Sequence, residues 1–389
     1  MACLNYQKRI KLAENWLLNS GIQNQRGPHK GGFNAWYDIT NKQYPFVYSE
    51  ITGYGISSLL YLNTIKPFKT LVERACAAAD WLTKKAFFKN KSVLCRYYYK
   101  TKQFTPRLCT FDAGVCLAAL TNLYHQTKMK KYLKFSKKMA DWLINEMQKE
   151  DGSFYARYLL DEKKLQDKGD KWSSQTGTFH AKVAIGLLHL GFLTGEPAYV
   201  ESADKVCRWA LKMQQNDGRF ITNTKEGSTF LQPHCYALEG ILCAGTFLRK
   251  KKYIDSAIYG LKWIMNHQLP TGGFPAYYIQ SGKFLNDESA DMSAQVVRLM
   301  LILSELGEQN IDINVVDKAM RRLLHFQCLK RYPKAHGGFL AGPAWFDRTE
   351  KDYGRQHVNS WVTMFVMQTL NMYLEKIEDH LEFNLFSIV

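Results

Sequence analysis

The sequence contains no uninterrupted apolar segment of about 18 residues, the minimum that a membrane-spanning helix requires. Its first residues, MACLNYQKRIKLAENWLL, carry charges through their middle and have no apolar core of the kind found in secretion signals. The sequence therefore predicts a soluble protein with no membrane insertion and no secretion signal.

Paired cysteine spacing is also missing. The nine cysteines are scattered along the chain, no C-x-x-C motif occurs and the count is odd. Several cysteines lie in apolar helical segments, where cysteine behaves as a small hydrophobic residue. These features predict reduced thiols and a cytoplasmic localisation.

The sequence shows no convincing metal site. The two nearest sets are Cys109 with Asp112 and His234 with Cys235, and neither has a persuasive third ligand. We therefore predict no metal and no cofactor, and leave a divalent cation open as an alternative.

Acidic residues are too few to balance the basic ones. The chain has 52 Lys and Arg against 35 Asp and Glu, which gives a formal net charge of +17. Such a field concentrates polyanions at the surface and predicts an anionic partner. Nucleic acid is disfavoured because no recognition motif occurs and the basic residues are dispersed. The oligomeric state is not determined by these features.

A short phrase of turn residues, glycine and an aromatic residue recurs along the chain. Its glycines stand about 60 residues apart, or twice that between the first two, which indicates an internal repeat: Gly32, Gly152, Gly218, Gly273 and Gly338. The missing copy is expected near residue 92, in NKSVLCRYYYK, which lacks the glycine. The sequence therefore predicts six repeats.

Each repeat contains two helical patterns. An amphipathic segment with a charged face, such as KKYLKFSKKMADWLINEMQ, precedes each phrase. A more uniformly apolar segment, such as TFHAKVAIGLLHLGFL, follows it and is typical of a buried helix. Twelve alternating helices predict an all-α (α/α)6 toroid, six inner helices ringed by six outer ones, formed by residues 1–389 as a single domain.

Loop length orients the toroid. Links from inner to outer helices are short, whereas links from outer to inner helices run to roughly 15 to 30 residues. Because long loops on one face usually carry binding and catalysis, we expect the functional mouth at the N-terminal ends of the inner helices.

Polar side chains begin the inner helices. The segment QPHCYALEGIL places a histidine, a tyrosine and a glutamate at the start of an apolar helix, and other inner helices begin in the same way. Because these helices converge on one axis, we expect the side chains to line a single funnel. The candidate catalytic residues are Glu50, His180, His234, Tyr236, Glu239 and His357.

Basic and aromatic residues accumulate in the long loops and at further mouth positions. Such a rim is suited to a polyanion, with aromatic rings for sugar faces. The candidate substrate-binding residues are Trp36, Arg96, Tyr98, Arg107, Asp112, Trp172, Arg219, Gln295, Arg298, Arg355 and Asn359.

Several of these positions also have a purely structural interpretation. Ser49, Ser289 and Asp112 are residue types favoured as helix caps, and Asp291 would complement a helix dipole. A histidine on an apolar helix, such as His180, is often a hydrogen-bonded core residue.

Two segments resemble a known family. YSEITGYGISSLL is similar to a P-E-T-T-G-Y opening, and PHCYALEGIL to an H-x-x-A-Y-A-x-E-G segment, of toroid proteins encoded in bacterial surface-polysaccharide loci. The resemblance extends to uronate-polysaccharide lyases, including lyases of the Vi-type capsule, and to glucuronyl C5-epimerases. It implies an acidic glycan as substrate. The sequence departs from the family pattern at Ser49, where proline is expected.

The leading hypothesis is β-elimination, or the related C5 epimerisation, on a uronic-acid-containing polysaccharide. Both reactions remove the proton α to a carboxylate, which requires a base and a group that neutralises the carboxylate. We predict that His234 and Tyr236 transfer the proton and that Glu239 orients one of them.

Two alternatives stay open at this point. A glycoside hydrolase would need two carboxylates across the scissile bond, from Glu50, Asp112, Glu239 and Asp291. A non-catalytic glycan-binding protein would keep the basic mouth without competent acid–base geometry.

Overall fold

Twelve α-helices occur in the described part of the chain. The computed structural model describes residues 2–279, 282–285, 287–308, 312–342, 356–378, 381 and 384–389. The odd-numbered helices are α1 (Ala2–Asn19), α3 (Lys69–Trp81), α5 (Lys130–Trp142), α7 (Pro197–Leu211), α9 (Lys251–Met265) and α11 (Ile313–Leu324). The even-numbered helices are α2 (Ser49–Ile65), α4 (Thr110–Thr127), α6 (Val183–Thr194), α8 (Leu231–Phe247), α10 (Ala290–Glu305) and α12 (Ser360–Ile377).

The helices form the predicted (α/α)6 toroid. The even-numbered helices pack side by side in a closed ring in which α12 returns to α2, and each odd-numbered helix packs outside it. In α8 every residue from Leu231 to Gly245 is buried, as the apolar composition predicts. In α5 burial is confined to one face, because lysines cover the other face. None of the described helices is long and apolar enough to cross a membrane.

Small antiparallel sheets surround one end of the ring. They lie in segments that the sequence predicts to be long polar loops. The strands are β1 (Trp36–Asp38), β2 (Phe46–Tyr48), β3 (Phe87–Phe88), β4 (Ser92–Val93), β5 (Arg96–Tyr98), β6 (Gln103–Phe104), β7 (Arg107–Cys109), β8 (Arg157–Leu159), β9 (Lys164–Gln166), β10 (Thr229–Phe230), β11 (Tyr277–Tyr278), β12 (Phe284–Leu285), β13 (Phe339–Leu340) and β14 (His357–Asn359). They pair in the orders β1-β14-β13, β2-β5-β6, β3-β4, β7-β8-β9 and β10-β11-β12.

The sheets join neighbouring repeats. In β2 and β5, Phe46 pairs with Tyr98 and Tyr48 with Arg96, and in β7 and β8, Cys109 pairs with Arg157. Each pairing connects the strand that leads into one inner helix with a strand from the loop of the next repeat.

The recurring phrase forms a clamp between consecutive outer helices. In the second copy, the Gln148 side-chain amide donates 3.0 Å hydrogen bonds to the carbonyls of Gly152 in its own turn and Ser202 on α7. The same pair of bonds is made by the glutamines of the other four copies: Gln23, Gln214, Gln268 and Gln327. We call these five units the glutamine–glycine clamps.

Glycine is required in each clamp because the turn lies against the next outer helix. Gly152 has φ +92°, and a Cβ there would lie 2.7 Å from the carbonyl oxygen of Lys205. Gly337 has φ +98°, and its Cβ would lie 2.3 Å from the carbonyl oxygen of Leu12 on α1. Where two glycines are consecutive in the chain, the first of them has the positive φ angle. The clamp glycine of the last copy is therefore Gly337 and not Gly338.

The last clamp closes the ring. Gln327 donates a 2.9 Å hydrogen bond to the carbonyl of Arg9 on α1 and a 2.8 Å bond to that of Gly337. The segment near residue 92, where the sixth copy was expected, forms the β3–β4 hairpin instead, with Lys89 and Asn90 in the left-handed conformation.

A second set of hydrogen bonds fixes the N-terminal ends of the inner helices. The first backbone N–H of a helix donates to a carbonyl of the adjacent mouth loop, as from Ser49 to Cys95 and from Thr110 to Ala156. The Ser49 hydroxyl donates to the Leu94 carbonyl at 2.5 Å, whereas Tyr48 is the N-cap residue. The interpretation of Ser49 as a cap is therefore wrong.

The opposite end of the ring is filled by residues 384–389. Val389 is fully buried, and its N–H donates to the Gln368 side chain at 3.1 Å. Phe386 stacks on the ring of His189, with centroids 4.2 Å apart and planes 6° apart. The open mouth is therefore at the N-terminal ends of the inner helices, as predicted.

We predict that His189 makes the protein acid-sensitive. Burial lowers the pKa of His189 to about 3, and within the described structure neither ring nitrogen has a hydrogen-bond partner. The histidine is protonated below about pH 6.5 in the unfolded chain but only near pH 3 in the folded protein. The free energy of unfolding therefore falls as pH decreases from about 6.5 towards 3. By pH 5 the loss approaches about 2 kcal/mol.

Urea unfolding of the wild type and His189→Leu at pH 7 and pH 5 tests this. The variant should lose about 2 kcal/mol less between the two pH values than the wild type does. The exposed substitution His325→Gln serves as a control. An unchanged pH dependence in His189→Leu would contradict the prediction.

Candidate functional site

A cavity of about 370 Å³ opens at the mouth of the toroid. The N-terminal ends of α2, α4, α8 and α12 supply its walls together with strands β1, β5, β7 and β8. The polar and charged residues that line it are Tyr48, Glu50, Arg96, Arg107, Asp112, Arg157, Lys171, Ser173, Gln232 and Tyr236. No histidine is among the described lining residues.

Glu50 lies in the first turn of α2 and lines the cavity. Burial raises the pKa of its carboxyl group, while a hydrogen bond from Tyr48 and the charges of Arg96 and Lys182 act in the opposite direction. Glu50 is thus a carboxyl group in a poorly hydrated wall with cations beside it, the environment in which acid–base catalysts are found.

Asp112 occupies the first turn of α4 and lines the same cavity. Burial raises its pKa well above the ordinary value, and Cys95 and Glu50 raise it further. Glu50 and Asp112 are the two carboxylates among the described residues of the cavity wall. The structure therefore brings these two candidate residues to one cavity.

Tyr236 reaches the cavity from the second turn of α8. Its ring packs against Phe111, with centroids 4.7 Å apart. Burial and the charge of Glu50 raise the pKa of Tyr236 well above its ordinary value, so the hydroxyl keeps its proton. A protonated tyrosine beside a carboxylate is suited to donate a proton.

Three guanidinium groups line the cavity. Arg96, Arg107 and Arg157 come from β5, β7 and β8, and in each the Nε atom is buried without a hydrogen-bond partner in the described residues. The Arg96 guanidinium lies 4.5 Å from the ring centroid of Tyr48. Such groups retain donors for a carboxylate, sulfate or phosphate oxygen.

Aromatic rings complete the wall. Trp36, Trp172 and Trp361 line the cavity. Trp36 stacks on His357, with centroids 5.0 Å apart, and Trp172 packs edge-on against Phe179 at 5.0 Å. Flat apolar rings beside fixed polar groups form a surface suited to one face of a sugar ring.

His234 does not reach the cavity, so the expectation that it lines the funnel is wrong. Its Nδ1 accepts a 3.2 Å hydrogen bond from the N–H of Phe220, and Nε2 lies 3.3 Å from the carbonyl oxygen of Gly260 on α9. The ring is fully buried, and burial lowers its pKa to about 4. Thr52 and Thr363 accept the equivalent bonds from Phe33 and Phe339 in other repeats. His234 therefore anchors the recurring phrase.

His180 is also placed away from the cavity. It lies in the 3-10 turn Thr178–Lys182, its ring packs against Phe179 at 4.1 Å, and Nδ1 accepts a 3.4 Å hydrogen bond from the N–H of Gly177. Burial lowers its pKa to about 3, so the ring is neutral. The structural interpretation of a core histidine fits His180.

Glu239 forms an ion network on the toroid axis and is not a cavity residue. Its carboxylate accepts a 2.7 Å bond from Lys182 and a bond from Arg298, and Gln295 lies 3.4 Å away. Burial raises the pKa of Glu239, but the two cations outweigh it and hold the pKa below its ordinary value.

The same network accounts for other predicted binding residues. Arg298 is fully buried and donates a 2.7 Å bond to Gln368. The Lys182 ammonium lies 4.7 Å from the ring centroid of Tyr236, so the network forms the layer beneath that ring. Glu239, Gln295 and Arg298 thus support the cavity floor and are not among the residues that line the cavity.

Four further predicted residues have different outcomes. His357 lies on β14 at the rim, with Nε2 3.6 Å from Asp38. Asn359 is the N-cap of α12 and accepts a 3.3 Å bond from the Val362 N–H, so it acts as a helix cap. Tyr98 packs against Phe46 outside the cavity wall. Arg355 lies outside the described residues.

Arg219 and Asp291 also serve the structure. Arg219 is buried and donates to Thr229 at 3.1 Å, which holds the loop before α8. Asp291 is fully buried and accepts a 2.7 Å bond from Gln232 and a 3.3 Å bond from Trp361. Asp291 therefore fixes two cavity residues from behind.

Several cavity residues were missed by the sequence analysis. Trp36, Arg96 and Arg157 occupy one position of the repeat, and aligning the six copies would have identified Arg157 from the other two. The preceding position holds an alanine at 35, 156, 276 and 341 but a cysteine at 95. The side chains of Cys95, Cys109 and Asp112 lie together, which makes Cys95 the third candidate ligand that the sequence analysis did not find.

Comparisons with known proteins agree with this fold. A family model described as glycosyl hydrolase family 47 matches residues 84–233, less than half of the chain. No curated protein sequence matches the chain.

Solved structures of similar fold cover nearly all of the chain. Cellobiose 2-epimerase from Bacillus thermoamylovorans has a TM-score of 0.74 and 11% identity, covering 95% of this chain and 100% of that chain. A sugar epimerase from a ruminal bacterium has 0.77 and 8%, covering 95% and 99%. Unsaturated glucuronyl hydrolase from Bacillus sp. GL1 has 0.66 and 14%, covering 93% and 96%. At these identities the likeness shows the fold.

We predict that Glu239 is required for stability. The substitution Glu239→Gln keeps the side-chain shape but removes the carboxylate that pairs with both buried cations, Lys182 and Arg298, which should cost about 3–5 kcal/mol. Urea unfolding measures the loss. Glu305→Gln, which removes a partly exposed partner of Lys376, is the control and should cost less than about 1 kcal/mol. Equal losses in the two variants would disprove the role assigned to the network.

Proposed function

We propose that this protein is a carbohydrate-processing enzyme that acts on an anionic, uronic-acid-containing glycan, with β-elimination as the leading reaction. The observation that supports the proposal best is the presence of Arg96, Arg107 and Arg157 in one cavity with Glu50 and Tyr236. The glycosyl hydrolase family match and the sugar-active proteins of similar fold agree with a carbohydrate substrate.

The guanidinium groups would bind the uronate carboxylate. Arg157 is held in place by a 3.4 Å bond to Ser173, and Arg96 by its position over the Tyr48 ring. Their buried Nε donors gain partners when a carboxylate enters. The guanidinium groups then neutralise the charge of the bound carboxylate, which lowers the free-energy cost of forming the enolate.

The steps of the proposed reaction are assigned to groups that line the cavity. Glu50 accepts the C5 proton, the electron pair forms the C4–C5 double bond, and the C4–O bond breaks. Tyr236 donates its proton to the departing oxygen. Tyr236 keeps the role that the sequence analysis assigned to it, whereas Glu50 replaces His234. Removal of the C5 proton and return of a proton to the opposite face of C5, with the C4–O bond intact, would give C5 epimerisation.

Hydrolysis is the second candidate. It is supported by the two carboxylates of the cavity wall, Glu50 and Asp112, because glycosidases use a pair of carboxyl groups. The two reactions differ in their products, since elimination leaves a double bond that absorbs in the near ultraviolet and hydrolysis does not.

We predict that acidic polysaccharides incubated with the protein become shorter while the near-ultraviolet absorbance rises. Glu50→Gln should lower the rate by about 10²- to 10⁴-fold, because it removes the base. Tyr236→Phe should lower the rate by a factor in the same range, because it removes the proton donor. Glu162→Gln, the same change at an exposed site in the turn between β8 and β9, should leave the rate unchanged.

Other outcomes identify the alternatives. Shorter chains without absorbance would replace elimination by hydrolysis. Solvent deuterium uptake at C5 without chain shortening would identify an epimerase. Binding without any chemical change would disprove catalysis and leave a glycan-binding protein.

We predict that Arg157→Ala weakens binding of a uronate oligosaccharide about tenfold or more, because a hydrogen bond between charged groups contributes about 1.5–3 kcal/mol. Calorimetric titration at two salt concentrations measures the change, and the salt dependence should decrease with the lost charge. Arg321→Ala, which removes the same charge from an exposed site on α11, is the control. Equal affinities of the two variants would contradict the assignment.

A further inference from the structure

We propose that Cys95, Cys109 and Asp112 form a Zn²⁺-binding site in the wall of the cavity. All three residues are buried, and their candidate ligand atoms, two sulfurs and a carboxylate oxygen, lie within 4.8 Å of one another. This inference goes beyond the proposed function and does not rest on it.

The chain brings the three ligands together through the mouth sheets. Cys109 ends β7 and is the N-cap residue of α4, and Asp112 follows in the first turn of that helix. Cys95 precedes β5, and the bridge between Leu94 and Leu108 brings its segment against β7, where the candidate ligand atoms of Cys95 and Cys109 lie within 4.8 Å. Backbone pairing therefore fixes all three positions before any metal binds.

Packing alone does not explain the cysteine at position 95. The equivalent position in four other repeats is alanine, at 35, 156, 276 and 341. At each of these sites the backbone carbonyl accepts the first N–H of an inner helix, and the Cys95 carbonyl does so for Ser49 at 3.0 Å. The architecture needs a small residue there, so the thiol is free to serve another purpose.

Asp112 provides an independent observation. The residue is 3% exposed, and its Oδ2 atom is buried with no hydrogen-bond partner in the described part of the chain. A buried carboxylate oxygen without a partner is costly, and native structures rarely leave one unsatisfied. A cation between Asp112 and the two thiols would supply the partner.

The donor set selects the metal. Thiolate ligands favour Zn²⁺ over Mg²⁺ and Ca²⁺, which prefer oxygen ligands. Three protein ligands leave the fourth tetrahedral position open, which is the arrangement of catalytic zinc sites. Cys95, Cys109 and Asp112 all line the cavity.

Zinc binding would also constrain the chemistry of the cavity. As a metal ligand, Asp112 would no longer be available as the general acid of a two-carboxylate hydrolase. The proposed elimination does not use Asp112, so the roles of Glu50 and Tyr236 would remain the same.

The test is a zinc titration of the reduced, chelator-treated full chain against a chromophoric competitor for Zn²⁺. We expect one tightly bound Zn²⁺ per chain. Cys95→Ala, Cys109→Ser and Asp112→Asn should each weaken binding by at least about a hundredfold. Cys76→Ser, which changes a partly buried cysteine on α3, should bind like the wild type.

Cys95→Ala is the decisive variant because alanine is the residue that other repeats use at this position. It should keep the wild-type unfolding midpoint measured without metal, and zinc should raise the midpoint of the wild type but not of the variant. Wild-type affinity in Cys95→Ala, or no stoichiometric binding in the wild type, would overturn the proposal. Because no glycan is present, a negative result leaves the proposed function untouched, and a failed glycan assay leaves the zinc result valid.

Discussion

The glutamine–glycine clamp is the interaction on which the rest of the structure depends. One side-chain amide bonds both to its own turn and to the neighbouring outer helix, and a glycine lets the turn approach that helix closely. Five copies fix the spacing of the outer ring, and the last copy joins its end to α1 through Gln327. With this spacing set, the inner helices converge and their N-terminal ends enclose a cavity.

The candidate site lies where the repeat departs from its own pattern. The segment between α3 and α4 has no clamp glutamine or glycine, and it instead carries Cys95, Arg96, Arg107 and Cys109 into the cavity wall. Five regular repeats hold the frame, and the sixth contributes four residues of the cavity wall. Departures from a locally consistent pattern are common at functional sites.

The toroid and the position of its mouth could be predicted from the sequence, because both follow from the repeat and from loop length. Side-chain direction could not. His234 and Tyr236 are two residues apart on α8, yet one faces α9 and the other faces the cavity. Proximity to a helix start does not distinguish them, because successive residues rotate by about 100° around a helix. Arg157 could have been found by aligning the repeats, whereas the approach of Cys95 to Cys109 could not, because it depends on strand pairing in the tertiary fold.

The closing clamp has a kinetic consequence. The bond between Gln327 and Arg9 joins residues 318 positions apart, so the ring cannot close until almost the whole chain is available. Until then α1 lacks one neighbour, and its apolar face stays open to other chains. Closing so long a loop has an entropic cost before its contacts compensate for it, which slows folding. A closed ring of repeats is thus more exposed to misassembly during synthesis than a linear array of the same units.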